Sequence, residues 1–143
     1  MKKLITITIL FFTLIAHSGE TNVDRETERK VDCLAKNMYF EAKGESRRGQ
    51  LAVAHVTINR THSGAYPDKI CDVVYQKNQF SWTNTKARIR DFTHYEQIRR
   101  LAYDVVQGKT KDPTRGALSF HNNQVNPRWN KPPKVRIGNH IFY

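Results

Sequence analysis

The chain of 143 residues has only two cysteines, Cys33 and Cys71, and neither belongs to a Cys-x-x-Cys pair. No His-Glu-x-x-His motif occurs, and no two of the histidines beyond residue 18 sit four apart. Those absences remove the usual zinc-site signatures. A Gly-rich phosphate loop is missing, as is the Gly-x-Ser-x-Gly turn that would expose a serine nucleophile. Repeats and low-complexity tracts are absent too. Acidic residues are scarce, 13 Asp and Glu against 24 Lys and Arg, for a formal net charge of +11. The basic residues are dispersed and no zinc-finger or RRM-type signature accompanies them, so anionic wall polymers or membrane surfaces fit better than nucleic acid. A basic surface that merely solubilises the chain is the other reading.

What is present starts at the N-terminus. Met1-Lys2-Lys3 precedes an uncharged, mostly apolar run from Leu4 to Ala16, and Ala16-His17-Ser18 places small residues before a cut after Ser18. This pattern predicts an export signal over residues 1–18, with delivery to the periplasm or the cell exterior; a retained membrane anchor is the alternative. The rest is enough for one core and not two, expected as a flexible leader over 19–30 and a monomeric catalytic domain over 31–143. In an oxidising compartment Cys33 and Cys71 read as one structural disulfide, with two free thiols as the alternative. A catalytic Cys-His pair would need both sulfurs reduced and is discounted.

The patterning predicts a mainly α fold (α+β), with four to five helices and a small C-terminal β element. Val31, Leu34, Ala35 and Met38 recur at helical spacing in a first helix that starts near Asp24 or Thr27 and reaches Lys43, closed by Gly44. Ser46 is a ready N-cap for a second helix through Arg60, apolar nearly all round from Leu51 to Ile58 and therefore expected at the centre. A third helix is expected from Pro67 to Gln76 and a fourth from about Asp91 to Gln107. Two short apolar runs, Ala117 to Phe120 and Val135 to Tyr143, are expected to pair as a β-ribbon.

Glu41 occupies the position where the apolar stripe of the first helix should continue. A half-buried carboxyl resists ionisation, and an acid protonated near neutral pH can protonate a leaving group. A solvated helix end is the alternative. Without metal or nucleophile motifs, carboxylate chemistry on a sugar remains, and it needs aromatic platforms and planar hydrogen-bonding side chains. Phe80, Trp82, Phe120, Trp129 and Tyr143 supply the first, and Gln79, Asn84, Asn122, Asn123 and Gln124 the second. Core packing is the competing role for the rings, above all for Phe80. Most glycosidases oppose two carboxylates across the scissile bond. Glu45 is too near Glu41 in sequence for that and is better suited to capping the second helix or orienting Glu41.

Ordered motifs then carry a family resemblance. Cys33-Leu34-Ala35-x-Asn37-Met38-Tyr39-Phe40-Glu41-Ala42-x-Gly44-Glu45, running on through Gly49-Gln50 to Asn59-Arg60, resembles the core of the SleB/CwlJ-type cell wall hydrolases. The likeness continues in Tyr66-Pro67-x-x-Ile70-Cys71, Gln79-Phe80-Ser81-Trp82, Phe120-His121, Pro127-x-Trp129 and Ile137-Gly138-x-His140-x-Phe142-Tyr143. It implies a lysozyme-like fold acting on peptidoglycan glycan strands, with Glu41 as the catalytic acid and, as in lytic transglycosylases, no second carboxylate. Glu45, Gln79, Ser81, Trp82, Phe120, His121, Asn122, Trp129 and Tyr143 become the candidate substrate contacts. No metal or cofactor is implied. A wall amidase and a non-catalytic basic wall-binding module are the competing functions. Relatives often carry Tyr-His where this chain has Phe120-His121, and the spore-lytic members carry a separate peptidoglycan-binding domain for which this chain has no room. Wall remodelling or phage-type host lysis is therefore expected rather than a spore role.

Overall fold

A computed structural model describes residues 18–143. Helix α1 (Ser18–Ala42) is followed by α2 (Arg47–His62), a short α3 (Ile70–Val74), a 3-10 turn over Ser81–Asn84 and α4 (Phe92–Val106). Three short strands complete the fold: β1 (Phe120–Asn122), β2 (Val135–Ile137) and β3 (His140–Phe142). The mainly α expectation with a minor C-terminal β element holds.

Helix α1 starts earlier than its apolar stripe suggested, and residues 19–30, expected as a flexible leader, form its first turns. Charge pairs along the helix support them: Glu26 with Arg29 at 3.1 Å and Lys30 at 3.8 Å, then Asp32 with Lys36 at 2.7 Å. Arg99 of α4 also pairs with Glu28. The expected export signal lies outside the described residues except for Ser18. Among the described residues no helix is long and apolar enough to cross a membrane.

Helix α2 is the central one, buried continuously from Ala52 to Thr57. Its N-terminus is capped as expected, with Ser46 Oγ accepting from the Gly49 N–H at 3.3 Å. One side of it meets α1 and α4 in a core of Leu34, Met38, Tyr39, Ala54, Ile98 and Leu101. The other meets the sheet through Ala52, Val53, Val56, Ile137 and Phe142. Buried polar groups tie the layers together: Asn37 donates to Thr57 Oγ1 at 3.2 Å, and Arg60 Nε donates to the Leu118 carbonyl at 2.7 Å. Helix α4 begins one residue later than expected because Asp91 acts as its cap, accepting from the His94 N–H at 2.9 Å.

Two expectations shift. The third helix is confined to Ile70–Val74, because Lys69 is extended (φ −110°, ψ 137°) and its side chain makes no cap hydrogen bond. The expected ribbon is a three-stranded antiparallel sheet in the order β1-β3-β2. Gly138, at φ +56°, divides the last apolar run into a β2–β3 hairpin, and the first strand forms at Phe120–Asn122 rather than from Ala117. Cys33 and Cys71 are joined, Cα to Cα 5.3 Å, which fastens α3 to α1. Replacing both by serine is expected to cost about 3–4 kcal/mol, the chain-entropy value for closing a loop of this length. Urea titration checks this, and a loss below about 1 kcal/mol would show that the unfolded chain is already constrained there.

Candidate active site

Glu41 lies in the last turn of α1, between two neighbours that fix its surroundings. Phe40, just before it, stacks on Trp82 with ring centroids 4.7 Å apart. Ala42, just after it, is buried against the sheet cluster that includes Ile137 and Phe142. The 3-10 turn and the sheet thus both approach the end of α1 that carries Glu41. It is half-buried, and among the described residues it has no hydrogen-bond or ion-pair partner. Burial pushes its pKa above the ordinary carboxylate value. The unpaired carbonyls ending a helix act in the same direction, since their dipoles disfavour a negative charge. The solvated helix end is thus replaced by a desolvated acid.

Glu45 has a different setting. Its carboxylate accepts from Asn139 twice, from the backbone N–H at 3.2 Å and from Nδ2 at 2.9 Å. His140 Nδ1 lies 3.9 Å away, and only 9% of the Glu45 side chain is exposed. Two glycines make room for it. A Cβ on Gly49 would lie 2.8 Å from Glu45 Cβ, and one on Gly138 would collide with Glu45 Oε2. Glu45 thus clamps the α1–α2 junction to the β2–β3 turn, and both its oxygens are engaged with protein. His140 is buried and its pKa is pushed down by that burial, with Glu45 opposing the shift.

The expected substrate contacts separate into groups. Trp82 is half-buried between Phe40 and Tyr75, its centroid 5.8 Å from the tyrosine ring, and its indole N–H has no partner among the described residues. Gln79 and Ser81 flank the buried Phe80, the first half-buried and the second exposed. Phe80 is a core residue under the Arg60 guanidinium, 5.6 Å from it, and 6.4 Å from Phe120. Strand alternation puts Phe120 on the helix-facing side of the sheet, where it packs on His140 and Phe142. His121, Trp129 and Tyr143 gather on the opposite face. Asn122 is exposed and shapes the turn after β1 by accepting from the Gln124 N–H at 2.9 Å.

Asn139, the direct partner of Glu45, carries no sequence signal that would have singled it out. Gly138 did mark a turn between two apolar runs, but its close approach to Glu45 is a tertiary fact. Among the described residues no three His, Cys, Asp or Glu side chains group in a way that could hold a metal ion.

Residues 44–143 match the family model described as Cell Wall Hydrolase. The chain belongs to the cell wall hydrolase family. The family match opens at Gly44, just past Glu41, and includes Glu45, Asn139 and the whole sheet. A spore cortex-lytic enzyme of Halalkalibacterium halodurans is 30% identical over 141 residues, covering 89% of this chain and 40% of that one. This chain therefore spans less than half the length of that relative. Cell wall hydrolase CwlJ of Bacillus subtilis is 30% identical over 131 residues, covering 85% of this chain and 89% of that protein. Among solved structures, the catalytic domain of the Bacillus cereus SleB protein superposes with a TM-score of 0.67 at 28% identity, covering 80% of this chain and 89% of that domain. The fold assignment thus stands on sequence and structure together.

Proposed function

We propose that this cell wall hydrolase cuts the glycosidic bond between N-acetylmuramic acid and N-acetylglucosamine in peptidoglycan, by lytic transglycosylation with Glu41 as its one catalytic carboxyl. The observation that carries the reading is the half-buried Glu41 carboxyl at the end of α1, which has no hydrogen-bond or ion-pair partner among the described residues. In the first step the protonated carboxyl donates to the glycosidic oxygen as the bond to the muramic acid anomeric carbon breaks. The C6 hydroxyl of the same muramic acid then attacks that carbon. The Glu41 carboxylate takes the hydroxyl proton, so the acid is regenerated and the product ends in a 1,6-anhydro ring. No water enters and no second carboxylate is needed. Glu45 fits this economy, because both its oxygens are occupied by Asn139.

A structural neighbour supports the choice. The catalytic domain of a Bacillus anthracis SleB, described as a germination-specific lytic transglycosylase, superposes with a TM-score of 0.63 at 27% identity. Trp82, with Gln79 and Ser81 beside it in the chain, is a candidate for contacts to the sugar at Glu41, because its stacking on Phe40 holds the 3-10 turn against the end of α1. Export to the wall is the compartment this substrate requires.

Mass spectrometry of digested sacculi tests the reading. The expected new termini are 1,6-anhydro-muramyl. Reducing muramic acid ends would assign the attack to water instead, and free stem peptides with intact glycan would overturn glycan cleavage in favour of an amidase.

A further inference from the structure

The end of the helical bundle away from Glu41 holds an open cleft of about 450 Å³, a size suited to a small ligand. It lies between the start of α1, the ends of α2 and α4, and the chain that leads into α3. Glu26, on its α1 side, is about 22 Å from Glu41 along the helix axis at 1.5 Å of rise per residue. Ile58, Ile70, Val105 and Val106 give the cleft an apolar lining, with Val105 buried. Charges of both signs stand around it. Glu26 is already paired with Arg29 and Lys30 of its own helix. Asp68 and Lys69 are exposed, and among the described residues neither side chain has a hydrogen bond or an ion pair. Lys69 acts on Glu26 only at longer range.

The chemistry of the cleft differs from that of the Glu41 end. No Phe, Tyr or Trp lines it, so it offers no platform for a pyranose face. The last residues of α2 and α4, His62 and Val106, both line it, and the carbonyl ends of helices favour a cation and repel an anion. With Asp68 beside them, these ends count against an anionic lipid headgroup. Lys30 and Lys69 count equally against a simple cation. What fits is a small apolar body that ends in an ammonium and a carboxylate side by side. The cleft is also preformed, because Ile70 precedes Cys71, whose disulfide to Cys33 ties this wall to α1.

We propose that this cleft is a second binding site, for a peptide stem of the wall polymer. It takes the zwitterionic side-chain end of a diaminopimelate residue at Asp68 and Lys69, with the alanine methyl groups of the stem on the apolar lining. The proposal rests on the peptidoglycan substrate argued above, and adds a grip on a neighbouring strand's stem while glycan occupies the Glu41 end. The test is titration of the full chain with the tetrapeptide L-Ala-D-Glu-meso-diaminopimelyl-D-Ala, followed by amide chemical shifts. Shifts are expected at Ile70, Val106 and Gly108 and not at Glu41. Asp68→Asn and Lys69→Gln change exposed side chains and should fold; each is expected to weaken binding about two- to fivefold, the scale of an exposed ion pair. High salt should shrink both losses. The same peptide with L-lysine in place of diaminopimelate lacks the side-chain carboxylate. It should bind the unaltered chain more weakly, and Lys69→Gln should leave its affinity unchanged. Absence of shifts at these residues with millimolar peptide would overturn the proposal, as would unchanged affinity in both variants. So would the same shifts produced by peptide-free glycan, or by vesicles of anionic phospholipid. Failure of the cleavage reading is separate, since it shows in the termini of digested sacculi and leaves the peptide titration as it is.

Discussion

Glu41→Gln is expected to lower release of soluble fragments from sacculi by about a thousandfold or more, the scale of removing a positioned acid that also serves as base. The same substitution should raise the melting temperature at neutral pH. Both follow from one observation, that the Glu41 carboxyl is half-buried and without a partner among the described residues. Glutamine is close to the protonated acid in shape and cannot ionise, so the fold should be kept. The sign of the stability effect follows from linkage. Burial raises the pKa of Glu41 in the folded state above its ordinary 4.5. Between those two values the folded protein holds a proton that the unfolded chain has lost, so stability falls as pH rises through that window. The variant escapes this loss. Its stability advantage should be absent below pH 4.5, open as pH rises, and level off above the raised pKa. Catalysis needs the protonated acid, so the wild-type rate should fall as pH rises through that same pKa. Melting curves and initial rates measured across pH check both limbs. A variant that melts lower than wild type at pH 7 would show that Glu41 is a structural partner rather than a strained catalyst.

The elements legible in the sequence are those whose signals are local. The Ser46 cap, the Asp91 start of α4 and the all-round apolar α2 are each written in a few adjacent residues, and the structure follows them. Glu41 stood out for the same reason, as a break in a helical stripe, and the structure half-buries it. Glu45 was legible as a residue but not in its role. Its partner Asn139 is distant in sequence, and only the fold of the sheet brings the two together. The aromatics shared that difficulty. Phe120 and His121 are adjacent, yet strand alternation sends one toward the helices and the other to the far face. Residues 19–30 were harder to read, since polar composition suggested a loose leader while α1 continues through them, with Glu26 pairing along the helix and Glu28 across to α4.

Glu45→Ala is expected to cost about 1–2 kcal/mol, because it removes two hydrogen bonds to a carboxylate, while the exposed Asn139 donors can turn to water. Activity should fall with it even where the fold survives. The clamp fastens the junction just after Glu41 to the β2–β3 turn, so its release lets the sheet drift from the helix end that carries the acid. Gly138→Ala attacks the same contact from the other side. It adds a methyl group where Oε2 of Glu45 already sits, at a φ of +56° that side chains rarely adopt. The two losses should not add. Once Glu45 is alanine, the new methyl group at position 138 has no carboxylate to collide with, and only the backbone strain remains. The double variant should therefore be more stable than the sum of the single losses implies, by about 1 kcal/mol or more. Urea titration of the four-member cycle measures this directly. Strict additivity would mean that the two residues do not meet in solution, and the sheet would then need some other tether to hold it beside Glu41.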